Sequence, residues 1–467
     1  MVLTRKKGKP AQKFTFYTGA SLAWQKPYLC AMSTRVKNQA EILSKLGIAQ
    51  LNPMQVAAQE ALASSKELVL LSPTGTGKTL GFLLPLVLAL DTACDEIQLV
   101  IIVPSRELAI QIEQVMREMG TGFKVNAVYG GRAGSKDRIE IKHRPAVLIG
   151  TPGRVADHLR REAFDPSFIQ TLVLDEFDKS LEIGFESEMR DILHLLPQVR
   201  TKVLTSATQG VSIPNFVGLK SPKVLDFLEE KISQLQVKKV PSPTKDKLDT
   251  LVHLLAHLGV QNGIIFCNFK DSIQRVSDYL HEHGLSHGIF SGGMEQIDRE
   301  RALIKFRNGT YPLLLATDLA ARGIDVPELN FIIHYHLPLR AEEFIHRNGR
   351  TARMNSQGTA YVLQYEKEAL PDFVGKLPVE TLQRAALPAP SPWSTLFVSG
   401  GRKDKISKGD VAGLFFKQGM LAKEDLGIIE LKTDCAFVGV KTAALEQLLP
   451  RVNNQKLKEK KVRVTLV

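Results

Sequence analysis

The sequence predicts an α/β protein: two tandem parallel-sheet domains followed by a small ferredoxin-like unit. Three observations carry that prediction. Short apolar, β-branched runs alternate with helical patterns through the first half, the signature of parallel strands joined by crossover helices. The same alternation restarts after a charged, proline-containing passage at 238–247. Beyond a stretch holding Pro371, Pro378, Pro388, Pro390 and Pro392, the order changes to strand, helix, strand, strand, helix, strand.

Residues 1–31 carry six Lys/Arg and no acid, with Phe14, Phe16, Tyr17, Trp24 and Tyr28 but no continuous apolar core of a signal peptide. They read as a disordered basic extension, with ordered structure and the protein proper starting near Met32. The first domain spans 32–220, with strands at 68–71, 98–103, 124–129, 146–149, 171–174 and 201–204. The second spans 221–370, with strands at 263–267, 311–316, 330–335 and 358–363. Residues 371–392 read as a semi-stiff linker or an irregular packed segment. In the last unit, 393–467, strands fall at 395–399, 427–431, 434–440 and 462–466, and helices at 407–418 and 442–452.

Composition narrows the class. The chain has 467 residues, 44% of them apolar, enough for buried cores in two or three domains. No run of about 18 apolar residues is present, which argues against a membrane span. Cys30, Cys94, Cys267 and Cys435 are scattered, which argues against a zinc site or a disulfide framework and for a reducing, cytoplasmic setting. The net charge of +12 sits at the ends: 391–467 hold 14 Lys/Arg against eight acids, while 32–390 are balanced at 41 each. Basic ends suit a polyanion such as nucleic acid, although a solvated charged tail explains 1–31 equally well.

Chemistry concentrates in three places. Ser72-Pro-Thr-Gly-Thr-Gly-Lys78-Thr79 follows an apolar run and precedes a long apolar helix, so it reads as a phosphate-binding loop. Thr74, Gly75, Thr76 and Gly77 would turn backbone N–H groups onto a polyphosphate, Lys78 would reach the β- and γ-phosphates, and Thr79 would ligate Mg²⁺. Asp175-Glu176-Phe177-Asp178 follows the strand at 171–174, where Asp175 would hold the metal and Glu176 would deprotonate the attacking water. Alone, such an acidic cluster is as readily a helix N-terminus. His346-Arg347-Asn348-Gly349-Arg350-Thr351-Ala352-Arg353 packs three arginines into eight residues. It reads either as a solvated basic face or as a source of arginine fingers, Arg350 and Arg353, if the two domains close on one nucleotide.

These motifs, with Gln55 in Leu51-Asn-Pro-Met-Gln, Pro104-Ser-Arg-Glu-Leu-Ala-Ile-Gln, Gly130-Gly131, Thr151-Pro-Gly-Arg154, Ser206-Ala-Thr208, Gln296-Ile-Asp-Arg299 and Thr317-Asp-Leu-Ala-Ala-Arg-Gly-Ile-Asp325, occur in one order. In that order the chain resembles a DEAD-box RNA helicase of superfamily 2 from about Ile42 to Leu363. The resemblance implies two RecA-like domains, ATP as substrate and Mg²⁺ as its companion. It implies that Gln55 reads adenine and that Gly323 and Asp325 touch the nucleotide. It places Arg106, Gly131, Thr151, Arg154, Arg299 and Thr317 on RNA phosphates and sugars, so that the core prefers RNA without reading sequence. Asp178, Ser206, Thr208 and His346 would couple nucleotide state to domain closure.

The chain departs from the family at three points. Phe177 replaces an alanine and would set a bulky ring between two functional acids; Asn38 stands where an adenine-stacking aromatic is usual; Ala352 replaces a glycine between the fingers. The last unit resembles the RNA-binding domain of DbpA-like bacterial helicases, with Arg402, Lys403, Lys405 and the run 456–461 as phosphate contacts. Phe397 and Phe437 are either stacking rings or core. The implied function is local unwinding of short duplexes in large-subunit (23S) ribosomal RNA during ribosome assembly, by a cytoplasmic monomer. The alternatives are an ATP-dependent RNA clamp or assembly factor with weak unwinding, and a DNA-directed superfamily 2 helicase.

Overall fold

The computed structural model describes residues 37–131, 134–182, 184–208, 213–228, 235–318, 326, 329–351 and 358–467. The basic extension lies outside the described residues, as do Gly323, Asp325, Ala352 and Arg353.

The first domain is a seven-stranded parallel sheet of β1 (Glu67–Leu71), β2 (Leu99–Ile102), β3 (Val125–Val128), β4 (Val147–Gly150), β5 (Thr171–Leu174), β6 (Thr201–Ser206) and β7 (Lys223–Asp226). Their order across the sheet is β3-β4-β2-β5-β6-β1-β7. Every residue of β2, β3 and β4 is buried, as expected of strands covered by helices on both faces, and for that reason β2 and β4 read as apolar runs, while β3 carries one polar residue, Asn126. One core lies under the helices Pro53–Ser64, Lys78–Leu88 and Arg106–Met119, the other under Pro152–Arg160 and Glu186–Leu195.

The second domain repeats the scheme with β8 (Leu235–Ser242), β9 (Gly263–Phe266), β10 (His287–Phe290), β11 (Leu313–Ala316), β12 (Phe331–His334) and β13 (Gly358–Tyr365). All pairs are again parallel, in the order β10-β11-β9-β12-β13-β8. The charged passage at 238–247 is therefore partly an edge strand, since β8 pairs with β13 over its whole length. Its free edge is covered by the proline-rich stretch: Lys239 N–H donates to Pro378 O and Glu380 N–H to Lys239 O, both at 2.9 Å, and Leu382 packs on the core. Pro241 and the two lysines fit an edge, where a ladder donor is dispensable and charge meets solvent.

The last domain is an antiparallel sheet of β14 (Trp393–Val398), β15 (Leu426–Leu431), β16 (Ala436–Lys441) and β19 (Val464–Leu466), in the order β15-β16-β14-β19. A short hairpin, β17 (Lys456–Leu457) with β18 (Lys460–Lys461), precedes the last strand. Leu396, Val398, Ala436, Val438 and Val440 alternate onto the face that meets the two helices, leaving Thr395, Phe397, Phe437 and Gly439 on the other.

Candidate active site

The phosphate loop joins β1 to the helix Lys78–Leu88 at the carboxyl end of the sheet, where ligands of open α/β sheets bind. Gly75 and Gly77 have φ of 88° and 84°, which a side chain would strain. The Ser72 and Thr76 hydroxyls lie 2.8 Å apart and Thr76 Oγ1 donates to Pro73 O at 2.9 Å, so the serine at the loop's first position braces the turn. Lys78 Nζ folds back onto Ser72 O and onto Pro73 O, the latter at 2.8 Å. Burial lowers the Lys78 pKa, with Glu176, Asp175 and Asp178 opposing that effect. Thr79, half-buried, is one residue further along the helix.

Behind the loop, Asn52 and Gln55 form a reciprocal cap at the start of the helix Pro53–Ser64. Asn52 Nδ2 also donates to Thr76 O at 2.9 Å and Gln55 Nε2 to Gly77 O at 3.2 Å. Gln55 therefore ties the start of this helix to the loop backbone. Asn52 was missed as a site residue, although Asn-Pro-Met-Gln is a capping sequence. Asn38 caps its own helix through Glu41 at 2.9 Å, so stacking on a base is not what it does here.

The acidic motif sits at the end of β5. Thr205 on the adjacent β6 donates to Asp175 Oδ1 and accepts from Glu176 N–H at 3.1 Å, and so fixes both acids. Thr205 is a second residue that sequence reading passed over. Burial raises the pKa of Asp175, with Thr205 and Lys78 opposing. Burial also raises that of Glu176, with Arg350 the leading opposing charge. Phe177 corrects the expectation of a ring between the acids: it is 2% exposed and belongs to the core that also holds Met189, Ile192 and Leu204. Only the backbone of Phe177 separates Glu176 from Asp178.

Asp178 faces the second domain. Thr208 Oγ1 donates to Asp178 Oδ2 at 3.1 Å, and His346 Nε2 is 3.6 Å from the same oxygen. Burial works against ionisation of Asp178, but His346, Lys179 and Thr208 outweigh it and hold the carboxyl below the usual aspartate range. Ser206 stands one step back from Asp178: its Oγ accepts from Thr208 N–H at 3.0 Å and so shapes the turn that presents Thr208. The helix Ala341–Asn348 delivers the rest of the second wall. Arg350 is 4% exposed and its charge reaches both Glu176 and Lys78. A Cβ on Gly349 would lie 3.5 Å from the Thr74 side chain of the phosphate loop. The two domains are thus closed on each other at this site. Arg347, read only as part of a cluster, is an internal anchor: it holds Asp318 with two nitrogens and Asn268 Oδ1 at 2.8 Å. Thr317, next to Asp318, is half-buried at the end of β11.

A second interdomain contact joins the residues expected on RNA. A Cβ on Gly131, whose φ is 86°, would lie 2.3 Å from Arg106 Nη1, so glycine lets that guanidinium lie across the backbone. Arg106 Nη1 donates to Gln296 Oε1 at 3.4 Å. Arg299, 8% exposed and stacked over Phe290 at 4.8 Å, pairs with Glu107 of the first domain at 3.0 Å. Arg299 thus bridges the domains rather than facing solvent, and Glu107 is a further residue that sequence reading left out. Thr151 caps Pro152–Arg160 without a side-chain bond, and Arg154 is held by Asp137 at 3.0 Å. Arg106, Gly131, Thr151 and Arg154 all lie at the carboxyl ends of β2, β3 and β4, on one rim of the sheet.

In the last domain Lys403 and Lys405 are exposed in the turn after β14, and the hairpin lies beside them, with Lys460 on Asp404 at 2.8 Å. Arg402 points elsewhere, to Gln114 of the first domain at 3.4 Å. Phe397 and Phe437 meet edge to face at 5.6 Å. Their sheet face is covered in part by the second domain, where Asn308 lies against Thr395 and Gly439, so it is not an open stacking platform.

Residues 52–215 match the DEAD/DEAH box helicase family, 246–355 the helicase conserved C-terminal domain and 395–466 the DbpA RNA binding domain. The chain is 30% identical over 439 residues to ATP-dependent RNA helicase DbpA of Escherichia coli (strain K12), covering 91% of this chain and 96% of that protein. It is 30% identical over 461 residues to ATP-dependent RNA helicase DbpA of Bacillus subtilis (strain 168), covering 90% and 96%. Among solved structures it resembles S. cerevisiae Dbp5 bound to RNA and ADP BeF3, with a TM-score of 0.64 at 26% identity over 70% of this chain and 88% of that one. The three matched segments, in this order and over nearly the whole length of both relatives, show that the chain belongs to the DbpA-like DEAD-box ATP-dependent RNA helicases, a family of RNA-stimulated ATPases.

Proposed function

We propose that this ATP-dependent RNA helicase opens short duplexes locally in 23S ribosomal RNA as the large ribosomal subunit assembles, acting as a monomer in the cytoplasm. The observation that carries the chemical part is the approach of the second domain to the first at Gly349–Thr74 and His346–Asp178, which brings the buried charge of Arg350 within reach of Glu176 and Lys78. Hydrolysis then depends on closure. Lys78 holds the β- and γ-phosphates, Glu176 takes the proton of the attacking water, and Arg350, joined by Arg353, stabilises charge developing on the γ-phosphate. Asp178, Thr208 and His346 report closure to the acidic motif. Thr79 and Asp175 are hard oxygen donors suited to Mg²⁺, and the burial of two acids beside the loop favours a divalent cation there. When bound, that ion would neutralise phosphate charge.

The choice of ribosomal RNA rests on the DbpA-type last domain. Arg106, Gly131, Thr151, Arg154 and Thr317 form the phosphate track in this reading, and Lys403, Lys405 and the hairpin capture a folded element nearby. The clamp alternative loses its main motive, because the Phe177 ring lies in the core and not between the acids. Two measurements test the proposal. RNA-stimulated phosphate release should vanish in Glu176→Gln, and equal rates would end the hydrolytic assignment. RNA cross-linked to the protein in cells should come from the large-subunit precursor; fragments chiefly from messenger RNA would overturn the ribosomal target.

A further inference from the structure

Among the described residues, the last domain bonds to each of the two core domains. On the second domain the seat is the turn that ends the helix Gln296–Arg307. Asn308 Nδ2 donates to Thr395 Oγ1 at 2.8 Å, the Thr310 and Thr395 hydroxyls lie 2.8 Å apart, and Arg307 grips Glu430 through Nε at 2.6 Å and Nη2 at 2.8 Å. Asn308 is 8% and Thr395 0% exposed, so the bond between them is shielded from water, while the Arg307–Glu430 pair at its edge is only partly buried. On the first domain the contact is Arg402 Nη2 donating to Gln114 Oε1, on the helix Arg106–Met119. Partial burial lowers the Arg402 pKa; Arg117 adds to this, while Glu113 and Glu118 on the same helix oppose it.

The two helices that receive the last domain are the ones whose other ends meet across the cleft. Gln296 and Arg299 open one, Arg106 and Glu107 open the other, and these four side chains are in contact. The last domain therefore spans, at the far ends of the same helix pair, the joint that the RNA-track residues span at the near ends.

We propose that the last domain is a brace for the closed core: seated on the second domain through Arg307 and Asn308, it latches to the first domain through Arg402 on Gln114. A contact made only in the closed arrangement shifts the open–closed equilibrium by its own free energy. For an exposed bond of this kind the shift is about two- to fivefold. The inference rests on the closure-dependent hydrolysis proposed above, and it moves Arg402 from phosphate binding to the positioning of the core.

The test uses the full chain with one dye on each core domain, read by energy transfer at subsaturating ATP and RNA. Arg402→Ala and Gln114→Ala should each lower the closed-to-open ratio about two- to fivefold, the double variant should lose no more than either single one, and RNA affinity without nucleotide should stay at the wild-type value. An unchanged ratio in Arg402→Ala, additive losses in the double variant, or weaker nucleotide-free RNA binding with a shallower salt dependence would each overturn the brace. The last of these would return Arg402 to the RNA phosphates. A wild-type protein that closes but shows no RNA-stimulated hydrolysis would sink the proposed mechanism while leaving the brace to be judged by the ratio alone.

Discussion

Phe177 has a backbone in the active site and a ring in the core, and the two parts have separable consequences. Truncation in Phe177→Ala leaves Asp175, Glu176 and Asp178 in place but opens a cavity in the core that the ring helps to fill. Large-to-small changes of this kind cost about 3–5 kcal/mol, so denaturant unfolding of the first domain should show a loss of that size. No gain in hydrolysis should accompany it; a faster Phe177→Ala enzyme would mean that the ring hinders the acids after all. Glu176 makes a prediction of opposite kind, about pH. Burial raises its pKa above the ordinary glutamate value despite Arg350. A general base works only when deprotonated, so kcat should fall as pH drops through that raised pKa, with the acidic limb above the usual carboxylate range. A limb at the ordinary value would show that Glu176 is solvated during turnover. That Lys78, Asp175 and Glu176 would meet at one end of the first sheet was legible from residue type and spacing. Thr205 and Glu107 were not, because their roles come from neighbours that are distant in sequence.

At the scale of elements, the start of the helix Pro53–Ser64 links stability to nucleotide binding. Asn52 caps the helix and also holds Thr76 O. Asn52→Ala should destabilise the first domain by about 1 kcal/mol, the usual worth of such a cap. It should also raise KM for ATP more than it lowers kcat, since the loop it steadies binds phosphate while Glu176 and Arg350 are untouched. Steady-state kinetics beside thermal unfolding would show this, and an unchanged KM would confine Asn52 to capping. The elements also show what sequence could and could not convey about the fold. Strands β2, β4, β5, β9, β11 and β12 lie inside the sheets and are apolar on both faces, so their runs stand out. β7, β8 and β10, all absent from the sequence reading, lie at sheet edges. There, Lys223 is exposed and Lys238, Lys239 and His287 are only half-buried, Pro241 interrupts the ladder pattern and Gly288 dilutes the apolar signal. The hairpin β17–β18 was hidden in the same way, as a run of lysines.

Across the whole molecule, charge and catalysis are held by different parts. The first two domains close on the nucleotide with balanced charge, whereas the last carries the excess of lysine and arginine. If RNA capture belongs to the last domain, its affinity should be largely electrostatic and its loss should spare the chemical step. Lys403, Lys405 and Lys461 are exposed and lie away from the seat on Asn308, so replacing all three with glutamine leaves the packing intact. Each phosphate contact contributes about 0.9 to the slope of log affinity against log salt on duplex RNA, on the analogy of double-stranded DNA, so the triple variant should flatten that slope by roughly two to three. Hydrolysis at saturating RNA should keep its wild-type kcat, because in the mechanism proposed above Arg350, Glu176 and Lys78 would act on the nucleotide and not on the captured element. Anisotropy titrations over a range of salt, paired with phosphate release, separate the two effects. An unchanged slope would place RNA capture on the core track of Arg106, Thr151 and Arg154 instead; a fall in kcat at saturation would mean that these lysines, and not Arg402 alone, help to close the site.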